Sequence, residues 1–175
     1  SEMCIRDRTT PSLRPRADLI TGLGLSAGKT LTLLLGGGLD TSGQASPGTT
    51  ATAFFQADRM EIQVGSGNLA SVANPLRLNT SISGIPTSGG LALKLSGAAS
   101  SASLQETSGD LRLILPTAFE ATSALTVPGD LNLTVTSGDL LNATGATINP
   151  VNTAVLKEQD ELFKITGAAA TAAAI

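Results

Sequence analysis

The chain has 175 residues, enough for one domain or a little more. Charged residues supply 14% of it and aromatic residues 2%, His, Trp and Tyr are missing, and the formal net charge is −3. This balance excludes histidine-dependent catalysis and the basic, aromatic-lined surface that grips nucleic acids. The apolar content is mostly Leu, Ala, Val and Ile. A core without large rings must be narrow and filled by stacking, which suits a coil more than a ball.

The first residues stand apart. Ser1-Glu2-Met3-Cys4-Ile5-Arg6-Asp7-Arg8 shares no pattern with the rest of the chain, and its part from Met3 to Arg8 resembles a translated transposon-end sequencing adapter. Residues 1–16 are therefore expected to be a non-native or disordered leader, of which residues 1–8 add nothing to the fold, with the natural protein beginning upstream. Cys4, the one cysteine, lies inside it, so no disulfide or thiolate metal site is expected. From Leu19 to Leu39 the chain is apolar enough to suggest a membrane span, but Lys29 sits near the middle and glycines interrupt it. A central lysine costs about 2.5–3.5 kcal/mol on insertion, so no membrane insertion is expected.

Within that stretch, Gly24-Leu25-Ser26-Ala27-Gly28-Lys29-Thr30 looks superficially like a phosphate loop. The glycine spacing is wrong for backbone N–H groups to curl around phosphates, and Leu31-Thr32-Leu33 alternates like a strand. A turn before a strand is the better reading.

A phrase then recurs along the chain. Gly89-Gly90-Leu91-Ala92-Leu93, Gly109-Asp110-Leu111-Arg112-Leu113 and Gly129-Asp130-Leu131-Asn132-Leu133 succeed one another at 20-residue intervals. Looser copies begin at Gly28 and Ala57, and a half-copy stands at Gly138-Asp139-Leu140. Gly-Asp starts a turn without strain, and the period-two alternation after it is that of a half-buried strand. Shorter apolar runs, Ala102 to Leu104 and Leu125 to Val127, lie between the copies.

These features predict an all-β fold, a right-handed parallel β-helix, or β-solenoid, over residues 17–152 with coils of about 20 residues. Seven or so coils at about 4.8 Å each would make a short rod. A β-sandwich is the rival, but it does not require the repeat. Leu91, Leu111 and Leu131 should be buried and stacked in neighbouring coils, with Arg112 and Asn132 pointing outward. From Thr153 to Ile165 the spacing of Val155, Leu156, Leu162 and Phe163 predicts a short amphipathic helix, with an Ala-rich tail after it at 166–175. Apart from that helix no polar cap is visible, so the terminal coils are expected to be exposed and prone to association.

One segment, Gly67-Asn68-Leu69-Ala70-Ser71-Val72-Ala73-Asn74-Pro75-Leu76-Arg77-Leu78, resembles a phrase of the filamentous haemagglutinin-like bacterial exoproteins, with Ala70 where that phrase commonly has glycine. With the Gly-Asp-Leu copies, the likeness covers about Ala17 to Ile148. The resemblance implies a β-helical shaft exported to the cell surface of a Gram-negative bacterium or secreted from it. It brings no catalytic or ligand residues.

The remaining chemistry is sparse. Asp110 and Asp130, with Asp139 near by, are expected along one edge of the solenoid, where paired carboxylates could act on glycosides. Their repeated place in a turn explains them without chemistry. The Gly-Gly-x-Gly-x-Asp phrase of calcium-binding β-rolls is missing. Lys29 or Lys94 could serve a Ser or Thr nucleophile, but no spacing argues for it. The sequons at Asn79, Asn132 and Asn142 are expected by chance in such a composition. No catalytic, cofactor-binding or metal-ligating residue is assigned, and the chain is expected not to be an enzyme. The expected function is a structural shaft or adhesive surface, whose partners are neighbouring coils of its parent and surface glycans or proteins of other cells. The alternative is a β-helical enzyme that degrades polysaccharide.

Overall fold

The computed structural model describes residues 3–7, 12–13, 23–24, 29–41, 53–81, 89–143, 146–150, 153–158 and 161–166. The strands in chain order are β1 (Met3–Asp7), β2 (Ser12–Leu13), β3 (Leu23–Gly24), β4 (Thr30–Leu35), β5 (Gly38–Leu39) and β6 (Phe55–Gln56). Then come β7 (Arg59–Val64), β8 (Leu76–Asn79), β9 (Gly90–Leu95), β10 (Ala102–Glu106), β11 (Leu111–Leu113) and β12 (Leu125–Val127). The last are β13 (Leu131–Val135), β14 (Leu140–Asn142), β15 (Ile148–Pro150), β16 (Thr153–Glu158) and β17 (Glu161–Thr166).

Eight of these form one sheet, in the order β1-β4-β7-β9-β11-β14 with β12 and β15 alongside, and seven form a second, β17-β16-β13-β10-β8-β6-β3. A two-stranded pair, β2-β5, continues toward the second sheet through the bridges Leu39–Leu69 and Leu69–Ala102. Among the described residues, strand pairing is parallel except between β16 and β17. Each coil contributes to both sheets and the next coil pairs on top of it, so the chain is a parallel β-solenoid.

Alternation decides which side chains enter the core. In β7, Met60, Ile62 and Val64 are buried beside Leu31, Leu33 and Leu35 of β4 and Leu91, Leu93 and Leu95 of β9, directly in register. The second sheet sends in Leu76 and Leu78, Ala102 and Leu104, then Leu131, Leu133 and Val135. All join one apolar cluster. Stacks of Leu, Ile and Val fill a narrow interior at every rung. Deleting one such side chain to alanine costs about 2–5 kcal/mol.

The coil is longer than the 20-residue expectation. Thr30 lies opposite Arg59, Ala102 opposite Leu131 and Leu111 opposite Leu140, a spacing of about 29 residues. Where no long loop intervenes, the step falls to 22 residues, from Leu91 to Leu113. Two excursions among the described residues are inserted in the middle of a rung. Leu113 pairs with Leu91 and Leu125 with Leu93, so residues 114–124 occupy the place of a single strand residue. The two backbone bonds of that place are divided: Ile114 N–H donates to Leu91 O, and Ala124 O accepts from Leu93 N–H. Residues 70–75 make a similar detour between Leu69, bridged to Ala102, and Leu76, paired below Leu104.

The 20-residue interval has a structural origin. Gly109-Asp110-Leu111 opens β11 in the eight-stranded sheet, whereas Gly129-Asp130-Leu131 opens β13 in the other. The same turn chemistry serves both corners of a coil, so the interval measures corner to corner and not coil to coil. Leu91, Leu111 and Leu131 are all fully buried, as expected, but they do not stack on one another. Leu111 pairs with Leu140, the half-copy, and Leu131 with Ala102 and Ala154.

Two other expectations change. The predicted helix at 153–165 is a β-hairpin: β16 adds to β13 in parallel, and β17 returns antiparallel to it. Leu156 and Phe163, spaced for one helical face, are equally cross-strand partners in the hairpin. The open backbone edge of β13 then decides for strand, since tertiary pairing overrides local periodicity. The leader, set apart from the fold by its sequence, joins it in backbone: Met3–Asp7 pairs in parallel with Leu31–Leu35. Met3 and Ile5 alternate in register with Leu31 and Leu33, a period-two match too short to stand out in the sequence.

Candidate functional site

The outer face of the eight-stranded sheet carries the densest polar chemistry. On β7, Arg59, Glu61 and Gln63 alternate with the core residues and face away from them. Thr32 and Ala92 flank Glu61 in register on β4 and β9. An outward row should be wet, yet Thr32, Glu61 and Ala92 are all buried. The cover is the excursion 114–124, which folds back across the sheet.

Glu61 holds that cover. Its Oε2 accepts from the backbone N–H of Thr117 at 2.8 Å and of Ala118 at 2.6 Å. Its Oε1 accepts from Thr117 Oγ1 at 2.8 Å and from Arg59 Nε at 2.6 Å. Arg59 Nη2 donates to Leu115 O at 2.9 Å and Lys94 Nζ to Glu120 O at 2.8 Å. Burial pushes the Glu61 carboxyl up, but the bonds from Ala118, Thr117 and Arg59 outweigh it and hold the group below the usual carboxylate value. Glu61 is thus ionised at neutral pH, with both oxygens occupied.

A second carboxyl lies inside the coil. Glu106 ends β10 in the inward row of Phe55, Leu78 and Val135, and is fully buried. Thr80 N–H donates to Oε1 at 3.0 Å and to Oε2 at 3.2 Å, and Thr80 Oγ1 to Oε2 at 2.9 Å. Burial raises this carboxyl to about 8 against the opposing bonds from Thr80, Ser108 and Thr107, so it is mostly neutral at pH 7. Glu61 and Glu106 belong to different sheets, one on an outer face and one in the core. They do not form an acid/base pair.

Polar ladders run up the corners. At one, Ser101 N–H donates to Asn68 Oδ1 and Asp130 N–H to Ser101 Oγ, each at 2.9 Å. At the other, Ser81 Oγ donates to Asp110 O at 2.6 Å and Asp139 N–H to Asp110 Oδ1 at 2.9 Å. Beside the first corner, Leu39, Asp40, Asn68, Ala70 and Ser71 border an open groove of about 310 Å³. Val72, in the excursion 70–75, is 71% exposed.

The structure disperses the residues singled out in the sequence. Asp110 and Asp139 share a corner, but Asp130 opens β13 in the other sheet, so the three do not line one edge. Lys29 leads into strand β4, as a turn before a strand requires, while residues 25–28 lie outside the described residues. Lys94 Nζ is bound to the cover loop. Asn79 Oδ1 accepts from Ser81 N–H, and Asn142 Nδ2 donates to Ala146 O. Arg112 and Asn132, expected to point outward, are half-buried. Among the described residues, no three of Asp, Glu, Cys or His come together to hold a metal.

Sequence reasoning passed over both buried carboxyls. Glu106 was legible, because Ala102, Leu104 and Glu106 alternate onto one face. Glu61 was not, since its cover comes from 56 residues further along.

No protein-family model, no curated protein and no solved structure matches the chain. The class defined by its own geometry is that of the parallel β-solenoids, here with loops inserted within the rungs.

Proposed function

We propose that this chain is a shaft segment of a large exported bacterial protein, of the filamentous haemagglutinin-like kind, whose inserted loops form its adhesive surface. The observation that carries the reading is the constancy of the ladder: coil-to-coil register is kept in both sheets although the step between paired strands varies from 22 to 32 residues. Such a frame draws its strength from repeated pairing and accepts loops outside it without cost to the stack. The polar work supports the same reading. Glu61 and Lys94 tie down a loop, and Asp110 ties one coil to the next. Ala70 adds to it: it stands in the left-handed region, at φ 63, where the resembling phrase commonly has glycine.

Antibodies raised against the folded chain and applied to intact cells of the encoding organism test the proposal. The expected result is staining without permeabilisation, together with a polypeptide longer than 175 residues in the medium or outer envelope. Staining only after permeabilisation overturns it. Release of reducing ends from polysaccharides by the purified chain would favour the degradative enzyme instead.

A further inference from the structure

We propose that residues 114–124 form an acid-released latch: Glu61 clamps them onto the outer face of the eight-stranded sheet at neutral pH, and its protonation frees them while the coils stay folded. The argument starts from the donors. Three of the four bonds to Glu61 come from N–H groups, those of Thr117, Ala118 and Arg59, which cannot reverse to accept. A proton on Oε2 would point at two N–H groups. On Oε1 it must either displace the Arg59 Nε–H or make the Thr117 hydroxyl turn round. Protonation therefore breaks contacts as well as discharging them, and the charge-assisted bonds it weakens are the stronger kind.

The charges around Glu61 point the same way. Its own strand contributes Arg59, and β4 contributes only the neutral Thr32 in register with it. On β9 the register partner is Ala92, with Lys94 next along the face, while β11 contributes Arg112 and the latch itself Glu120. Protonated Glu61 leaves the sheet face cationic, with the latch held by the two carbonyl contacts to Arg59 and Lys94. Its bonds to Ala118, Thr117 and Arg59 hold the group below the ordinary carboxylate value, near 4.3, so release belongs to acid and not to neutral pH.

The frame is built to survive this. The latch leaves and rejoins its rung at Ile114 and Ala124, whose bonds to Leu91 and Leu93 do not involve Glu61. The core carboxyl, Glu106, is already mostly neutral at pH 7, and acid leaves it so.

Amide hydrogen exchange of the whole chain, read at about pH 7 and at successively lower pH and corrected for intrinsic rates, is the test. The expected result is a loss of about tenfold or more in protection at Thr117 and Ala118 in acid, while amides of 102–106 and 131–135 keep theirs. Glu61→Gln keeps an acceptor oxygen but no charge, so it should show weaker latch protection than wild type at pH 7 and no further change in acid. Protection of Thr117 and Ala118 that persists until β10 and β13 lose theirs overturns the proposal, and so does its loss together with theirs. The wild-type measurement decides between these outcomes even if the variant does not fold.

Discussion

The backbone N–H of Asp139 donates to Asp110 Oδ1 at 2.9 Å, joining the Gly-Asp turn of one coil to the Gly-Asp turn of the next. Ser81 continues the ladder on the other side by donating to Asp110 O. Gly138, at φ 125, makes the approach possible, since a Cβ there would lie 2.4 Å from the Gly109 carbonyl carbon. Asp110→Ala removes one acceptor from a partly exposed ladder and should cost about 0.5–1.5 kcal/mol. Asp110→Asn keeps an acceptor oxygen and should cost less. Gly138→Ala collides with backbone and should cost more than either. Denaturant midpoints of the three variants check this order, and a loss as large for Asn as for Ala would contradict it.

Glu106 should make the fold sensitive to alkali. Its folded-state value, about 8, stands above the ordinary glutamate value of about 4.3. The stability it contributes is therefore fully present below about pH 4, where both states are protonated, and is lost as pH rises through about 8. The loss is on the order of 5 kcal/mol at roughly 1.4 kcal/mol per unit. Glu106→Gln stays neutral throughout, so its stability should change less between pH 5 and 9, and it should exceed wild type at pH 9. Urea titrations at several pH values measure this. Parallel curves for the two proteins would exclude the interior carboxyl as the cause.

Ala70 and Ala99 lie at φ 63 and φ 62, where an L side chain is strained by about 1–2 kcal/mol. Glycine relieves the strain but adds unfolded-state freedom. Ala70→Gly and Ala99→Gly should each stabilise the chain by about 0.5–1 kcal/mol. Ala102→Gly, inside β10, should do the reverse. Thermal unfolding of the three variants separates local strain from a general effect of glycine.

The excursion should be removable. Deleting residues 115–124 leaves Ile114 to supply both backbone groups that Ile114 and Ala124 now share between Leu91 and Leu93. Glu61 loses its partners in that variant, so the deletion should be combined with Glu61→Thr, a neutral strand former. The expected product keeps the β-type circular dichroism spectrum and cooperative unfolding of the parent. A molten or aggregated product would mean that the loop is required to build the rung.

What the sequence determined by itself is the content of each rung. Alternating Leu, Ile and Val between Gly-rich turns makes strands with one apolar face, and a chain of many such strands without aromatic bulk must stack them into a narrow core. That reasoning reaches Leu31, Met60, Leu91 and Leu113, and it reaches Glu106, whose place on the apolar face is set by period two alone. The tertiary structure decided everything that depends on which strands meet. One Gly-Asp turn serves two corners, so Leu111 could be matched with Leu131 or with Leu140 until backbone pairing chose Leu140. A free strand edge on β13 turned a helix-like pattern at 153–165 into a hairpin. The burial of Glu61, finally, comes from a loop far along the chain. Local periodicity records which face of a strand is apolar, but it carries no information about which distant backbone will cover the other.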